Sequence, residues 1–497
     1  MCFFCGHIVQ RESLHLAAVY LEKLVRKRER PFLSSDVFIS KSKKATQFSN
    51  AIRMDSYLDG EKLKYRWIVL CMGFLSNFLT WGVTFSVGVL YAEWVSYFGA
   101  PMGEVAFAGG IPVAVGCGLE CIFVDITGPI YGILINKLQI RTCGIIGGVT
   151  MCLGLSVSYF ARNVITLCIT FGVIAGFGCG LASLASCSII NKYFLRQRTL
   201  AESVCGSGLS AGVFAMSAVQ RYIISEYTWQ GAMLIFGGIC LNNTVIAMFF
   251  IPPQKLNISE VRPSKESNNE IGITSICNEG SINSQRDSTA VDTELSFFKR
   301  SIGLYRNITF LRLITSHFLG WLCLFIPYVH LVERARLSGL DENTSAWVAA
   351  TIGLAGFTGR PITGAFFNYA EVHPRIAYAL IQILCGISVA VSPFWSNKIG
   401  LFMFAAAFGF LSNGYGLIKA SAAVMLGCNK FVDAFSWMLM FEGLGVLLGP
   451  PMAGWFYDVT QSYDWGFRVA GIGLIISGLI LVTKPRDNTS VVISTTL

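Results

Sequence analysis

Long apolar runs separated by short polar turns set the architecture of this chain. The first covers roughly Trp67–Leu90, with Arg66 at one end and Glu93 beyond the other. It is about as long as the roughly 20 residues a helix needs to cross a bilayer. A second run, Val105–Ile135, is about 31 residues, longer than a crossing requires. It holds Pro112, Glu120, Asp125 and the pair Gly128-Pro129. Two explanations stay open: its two acids line a pathway, or residues 117–127 form an inserted, kinked loop or are foreign to the mature protein. Further runs follow at 142–160, 164–190, 200–220 and 231–251, giving six helices. Six more lie at 309–332, 344–367, 375–395, 398–419, 432–456 and 466–483. The pattern predicts an all-α membrane protein with twelve transmembrane helices in two six-helix bundles, 67–251 and 309–483, and a binding site between them.

The intervening 252–308 is rich in Ser, Asn and balanced charge, as in Ser264-Lys265-Glu266-Ser267-Asn268-Asn269-Glu270. Such a segment buries no core and is expected to be a disordered cytosolic linker. Residues 1–66 are expected to be a disordered cytosolic tail, as are 484–497. The run Leu14–Leu21 is short and Arg26-Lys27-Arg28 follows it, so it does not read as a signal peptide. Met54 is an alternative start.

Composition agrees with this layout. The 497 residues are 53% hydrophobic and only 13% charged, with mean hydropathy +0.58. Fifty glycines and 37 phenylalanines suit helices that pack through small faces and show aromatics to lipid. Of the net charge of +9, much sits in residues 1–66, where 13 Lys/Arg oppose 7 Asp/Glu. That excess reads as a membrane-adjacent cytosolic tail and gives no case for nucleic-acid binding. The 16 cysteines, among them Cys117, Cys179, Cys187 and Cys385, lie mostly singly in apolar runs, without the spacing of a zinc site. No paired His/Asp or Ser/His constellation suggests an enzyme, and no cofactor or metal is expected.

Lys137 with Arg141, Lys192 with Arg196 and Arg198, Arg375, Lys430, and Lys484 with Arg486 fall in alternate turns. They place those turns, and both termini, in the cytosol. Arg334 and Arg336 run against the rule, after the seventh run.

One charge lies inside an apolar span. Arg360 follows Gly353-Leu354-Ala355-Gly356-Phe357-Thr358-Gly359 and precedes Pro361. An ionised group at that depth costs at least about 2.5–3.5 kcal/mol, so it usually faces a water-filled path or a partner. Its fork grips a carboxylate with two parallel hydrogen bonds, which an ammonium does not do. The alternatives are a permanent pair with an acid on a neighbouring helix and snorkelling to the surface. Glu442 and Lys419 are the other charges inside the later spans, Glu442 near mid-span and Lys419 near the cytosolic end. Polar Asn77, Ser183, Ser186 and Asn191 either complete a cavity or, as such residues more often do, tie helices together.

Three stretches carry a family resemblance. Gly128–Arg141 is a glycine-rich helix end running into a basic turn, and it resembles the loop between helices 2 and 3 of the major facilitator superfamily. Lys192-Tyr193-Phe194-Leu195-Arg196-Gln197-Arg198-Thr199-Leu200-Ala201 leads into Gly206, Gly208 and Gly212 and looks like the helix 4 to helix 5 signature of the monocarboxylate transporters. Gly449-Pro450-Pro451-Met452-Ala453-Gly454, ending in Tyr457-Asp458-Val459-Thr460, is similar to helix 11 of that family. The resemblance covers nearly all twelve spans. It implies the major facilitator fold, and a plasma-membrane symporter moving a monocarboxylate or similar small organic anion. It also implies that Arg360-Pro361 is the substrate-binding pair of helix 8. Protons are implied as a second cargo, and a single-pass immunoglobulin-type chaperone as a partner. Arg196, Arg198, Lys137 and Arg141 would brace a cytosolic gate, with Lys419 and Asp458 as further coupling or gating residues. Gly206–Gly212 and Gly443–Gly454 would form the moving interfaces.

The chain departs from that family at two places. The helix 1 lysine position holds Phe85 and the helix 8 aspartate position holds Gly356; the entry to helix 1 is also degraded, with Asp59-Gly60 set apart from Tyr65-Arg66-Trp67. An Asp–Arg pair is neutral when empty, and protonating the Asp frees the Arg for an anion. Without the Asp that coupling needs another group, for which Glu442 is the better candidate. Arg360, Phe85, Asn77 and Glu442 are thus the expected substrate-site residues. An uncoupled carrier of aromatic amino acids or other carboxylate solutes, and a nutrient-sensing receptor without flux, remain as alternatives.

Overall fold

The computed structural model describes residues 60–125, 139–194, 198–252, 304–369, 372–426 and 428–482. Lys64–Leu497 forms one compact unit. Among the described residues the helices group into twelve rods. α1 comprises Gly60–Phe85 and Val87–Phe98, α2 is Met102–Asp125 and α3 is Ile140–Val157. α4 joins Val164–Leu167, a π-helical stretch Cys168–Ala175 and Gly176–Tyr193. α5 and α6 are the two arms of Arg198–Met248, which meet at the non-helical Thr228. α7 comprises Ile308–Leu324 and Ile326–Leu337, α8 is Glu342–Tyr369 and α9 is Pro374–Val391. α10 comprises Lys398–Leu411 and Tyr415–Leu426, α11 is Cys428–Thr460 and α12 is Tyr463–Val482. By length and composition alone, eight described stretches are long and apolar enough to cross a membrane, one of them, Ala201–Met248, holding both α5 and α6.

Local chemistry starts and stops these rods. Asn163, Asp341 and Asn397 each accept a hydrogen bond from the backbone N–H three residues on, at 2.7, 3.0 and 2.8 Å, opening α4, α8 and α10. Asn307 Oδ1 accepts from Thr309 N, two residues on, at 2.9 Å, opening α7. Gly99, with φ +58°, and Gly339, with φ +88°, turn α1 into α2 and α7 into α8 in the left-handed region that a Cβ disfavours. The halves repeat one another: α1 breaks at Ser86 and α7 at Phe325, and α3 and α9 both end in a 3₁₀ turn, Ser158–Phe160 and Ser392–Phe394.

Two expectations are corrected. The first rod is longer than Trp67–Leu90 and carries a break, because Ser86 leaves the helix and turns its hydroxyl back to Val83 O at 3.0 Å. Residues 117–125 continue α2 as helix and form no inserted loop in the described part; Pro112 sits inside without ending the rod. Residues 126–138 with Lys137, residues 195–197 with Arg196, Met54, Asp59, most of the linker and the C-terminal tail lie outside the described residues. The backbone of Arg198 and of Asp125 is described, their side chains are not.

We call the end of the bundle where α1 begins the near end. The halves meet along α2 with α11, α5 with α8 and α1 with α7. The close approaches use glycine: a Cβ on Gly454 of α11 would lie 2.6 Å from Gly103 N and 2.7 Å from Gly103 Cα of α2.

Candidate functional site

Arg360 lies on α8, part-buried, at the junction of the two halves. Its Nε donates to Asn413 Oδ1 at 2.9 Å, where α10 is interrupted, and its Nη1 donates to the carbonyl of Gly206 on α5, across the junction. Among the described residues no ion pair includes Arg360. Its partners are neutral oxygens that leave other N–H donors of the fork unused. The Tyr328 hydroxyl is within electrostatic range and shares a 3.2 Å hydrogen bond with Ser412 Oγ. Among the described residues these contacts do not match a lock to a protein acid.

Phe85 belongs to an aromatic cluster, drawn from both halves, that includes Tyr328. Its ring meets Phe325 at 5.2 Å, Tyr328 at 5.3 Å and Trp81 at 6.0 Å, all edge-on. The Gly356 position is tight: a Cβ there would lie 3.1 Å from Ser210 Oγ of α5 and 3.4 Å from Gly409 O of α10. A side chain at that site would have to turn the Ser210 hydroxyl aside.

The other expected substrate residues make no described bond with Arg360, although Asn77 bonds Cys205, the residue before its partner Gly206. Asn77 points within the first half, its Nδ2 donating to Cys205 O at 3.2 Å and to Cys205 Sγ at 2.9 Å. It ties α1 to α5, as does Ser186 for α1 and α4 through Gly73 O at 3.4 Å. Glu442 is 5% exposed, and its Oε2 is 3.2 Å from Nε2 of His317, a residue the sequence did not single out. Its Oε1 accepts from Cys117 Sγ at 3.8 Å across the α2–α11 contact. Ser183 bridges Glu120, to which it donates at 2.7 Å, and Trp81 Nε1, which donates to it at 2.9 Å. Lys419 places its Nζ 5.1 Å from the centre of the Phe435 ring. Arg141 is exposed at the start of α3.

The glycine stripe of α5 is also corrected. A Cβ on Gly208 or Gly212 would strike the backbone of α1 at Phe74 and Phe78, inside the same half. Those glycines seat α5 on α1; the approach to the other half is made by the α5 backbone at Ser210 and Phe214, where a Cβ built on Gly353 of α8 would lie 2.7 Å from Ser210 O and 2.8 Å from Phe214 Cα. In α11, Gly445 and Gly449 face α7 of their own half, while Gly443 and Gly454 face α2 of the other.

A charge network that hydropathy did not reveal closes the far end. Arg221 of α5 pairs with Glu93 of α1 at 3.1 Å and with Glu342 of α8. Arg336 of α7 reaches Glu93 at 3.5 Å and Glu342 at 3.2 Å. Asp458 of α11 accepts from Met102 N at 2.9 Å and Gly103 N at 3.1 Å, capping α2 from the opposite half where a helix N-terminus favours an anion. Arg334, the other cation running against the positive-inside pattern, is 4% exposed. It donates to Ser392 Oγ and O at 2.9 and 2.7 Å and lies 4.6 Å over the Phe467 ring.

Comparison with known proteins agrees with this architecture. The Major Facilitator Superfamily profile matches residues 70–432. Human monocarboxylate transporter 14 is 27% identical over 469 residues, covering 85% of this chain and 90% of that protein. Chicken monocarboxylate transporter 9 is 26% identical, covering 84% and 92%, and mouse monocarboxylate transporter 2 is 25% identical, covering 84% and 83%. Among solved structures, a mutant of the peptide transporter POT in complex with sulfate superposes with a TM-score of 0.60 at 14% identity, over 84% of this chain and 93% of that one. That likeness speaks to the fold.

Proposed function

The chain belongs to the major facilitator superfamily, as a divergent relative of the monocarboxylate transporters, and from that premise we propose that it carries a small monocarboxylate across the plasma membrane by rocking its two halves about Arg360. It is a multi-pass membrane transporter and not an enzyme. The observation that carries the reading is the guanidinium of Arg360 at the junction of the halves, bonded to Gly206 O and Asn413 Oδ1 with no carboxylate among its described partners. A substrate carboxylate offers the fork two charged acceptors in place of one neutral carbonyl, and charge-assisted bonds are roughly twice as strong as neutral ones. Exchanging the Gly206 carbonyl for the anion removes a bond that spans the halves at the same moment as it fills the site. Binding thus changes the balance between closed and open arrangements, which a ligand achieves only through differential contacts.

The structure is shut at the far end by Arg221, Arg336, Glu93, Glu342 and Asp458. With the termini cytosolic, as the positive-inside pattern supports, this is the state closed to the outside. Tyr328, within electrostatic range of the guanidinium, belongs to one aromatic cluster with Phe325, Phe85 and Trp81, and such a cluster favours a carboxylate with an apolar or aromatic body, so aromatic acids belong in the substrate panel.

The test is uptake of labelled lactate, pyruvate and aromatic amino acids into cells expressing the wild type, Arg360→Lys or Arg360→Ala, with surface expression measured alongside. Removing one partner of a desolvated charged contact costs about 2–5 kcal/mol. Arg360→Ala is expected to weaken apparent affinity at least about 30-fold, and Arg360→Lys to recover only part because an ammonium lacks the fork. Uptake unchanged in Arg360→Ala would refute the role of Arg360. No uptake of any organic acid by surface-exposed wild type would refute transport and favour a receptor.

A further inference from the structure

Arg334, Arg336 and Arg468 of the second half stand at the far end, on the side where the positive-inside rule disfavours them. Arg336 pairs with Glu93 and Glu342, and Arg334 is buried against Ser392. Arg468 of α12 has neither an ion pair nor a hydrogen-bond acceptor among the described residues. Asp464, one turn earlier on the same helix, is within electrostatic range of Arg334 instead. What holds Arg468 is aromatic. Its guanidinium carbon is 5.5 Å from the centre of the Trp465 ring and 5.7 Å from that of Phe394, in the 3₁₀ turn that ends α9. A cation over ring faces is held without using its N–H groups, so the fork keeps its five donors.

The same side chain lies on the lipid face. Trp465, Ile472, Ile476 and Leu479 are exposed, and with Arg468 they recur at steps of three and four, the spacing of one helix face. On α9 the exposed Leu384, Ile387 and Val391 lead in the same way to the exposed Phe394. The two helices lie close, a Cβ on Gly386 of α9 falling 2.7 Å from Gly471 O of α12. Their exposed ridges therefore run side by side. α12 starts at the far end with Tyr463, and Arg468 follows about 7.5 Å along the axis. From Arg468 to Leu479 is a further distance of about 16 Å, roughly half the 30 Å of a hydrocarbon core. The surface thus offers a cation at headgroup depth and an apolar track one leaflet deep.

We propose that Arg468 binds the phosphate of a phospholipid in the leaflet at the far end, with an acyl chain along the α9 and α12 ridges. The proposal is independent of the transport reading of Arg360. Phosphate oxygens match the guanidinium fork, and bonds between charged groups are roughly twice as strong as neutral ones. Charge complementarity selects the occupant. A diacylglycerol covers the ridges but leaves the fork unmatched, and a free phosphate ion matches the fork but leaves the ridges bare. A phospholipid does both. Its headgroup lies over the turn that Arg334 holds from within through Ser392, so the lipid joins α9 to α12 from outside.

Photo-cross-linking on the full chain tests this. p-Benzoylphenylalanine replaces Ile472, on the ridge beside Arg468, in protein purified in a phosphate-free maltoside detergent. Dioleoylphosphatidylcholine, dioleoylphosphatidylglycerol and dioleoylglycerol share their chains, only the first two carry a phosphate, and each is titrated separately in labelled form. In the otherwise wild-type chain both phospholipids are expected to cross-link half-maximally at least about tenfold below the diacylglycerol. Arg468→Gln is expected to bring the three curves together. Arg468→Lys keeps part of the separation, because an ammonium lacks the fork. Arg162→Gln, at the exposed turn after α3, leaves it unchanged. The diacylglycerol curve stays the same in Arg468→Gln, which separates loss of the phosphate contact from loss of fold. Equal curves in the parent chain, or a separation that survives Arg468→Gln, overturn the proposal. A separation shown by phosphatidylcholine alone also overturns it, because the choline would then be the recognised group. Displacement of the phospholipids by millimolar inorganic phosphate overturns it as well, because the fork would then belong to a free ion.

Discussion

Gly454→Ala isolates the mechanical part of the proposal. In the closed far end a Cβ at position 454 of α11 would sit 2.6–2.7 Å from the backbone of Gly103 on α2, with Met102 C also at 2.7 Å. Backbone on both sides leaves no flexible side chain to yield, and overpacking of this kind costs about 1–3 kcal/mol. The two helices belong to opposite halves, so the cost falls on the arrangement that brings them together and is relieved when the far end opens. A bias of that size corresponds to a shift of about 5- to 160-fold in the ratio of the two arrangements. Spin labels on noncanonical residues at Tyr97 and Leu337, both exposed at the far end of their helices, avoid the 16 cysteines. Their distance distribution should move to longer separations in Gly454→Ala. Gly118→Ala, where an added Cβ meets nothing within 4 Å, is the matched control on α2. A stably folded Gly454→Ala whose distances match wild type would refute the claim that the α2–α11 contact belongs to one arrangement only.

Two further outcomes are expected from the far-end contacts and from the buried arginine. Glu93→Gln removes the acid shared by Arg221 and Arg336; with partly exposed pairs worth roughly 0.2–1 kcal/mol each, the same labels should shift in the same direction as in Gly454→Ala but by less, and no shift would show the network to be ornamental. Arg334→Met leaves Ser392 O without its charged donor and removes the cation over Phe467, all within one half. It should cost about 1.5–3 kcal/mol in thermal unfolding without changing the far-end distances, and an unchanged midpoint would contradict the assignment of Arg334 to structure.

The contrast between what hydropathy revealed and what it hid has a physical basis. Twelve rods were legible because burying backbone in a bilayer demands long apolar helices, and that demand is written residue by residue. Arg360 was legible for the converse reason, since a charge in an apolar run stands out. A repeat was also legible but passed over: Ser158-Tyr159-Phe160-Ala161-Arg162-Asn163 and Ser392-Pro393-Phe394-Trp395-Ser396-Asn397 share Ser, Phe and Asn at the same spacing, and each makes a 3₁₀ turn and a helix cap at the same place in its half. Pairings were not legible. Gly208 and Gly212 announce that a backbone comes close, but only the packing shows that it is α1 of the same half. Glu93, Arg221, Arg336 and Glu342 sit at helix ends where charges normally mark topology, so nothing local shows that they meet across the halves. His317 gave no signal because a single imidazole in an apolar run is usually a satisfied core residue; its partner Glu442 lies 125 positions away. The same argument explains why Phe85 and Gly356 looked like losses. A sequence shows that a lysine and an aspartate are missing from two positions, whereas what surrounds those positions is a property of distant rods packed together. Function at such a site is therefore read from which buried donors and acceptors remain incompletely matched once the helices are packed, as Arg360 and His317 Nδ1 are here.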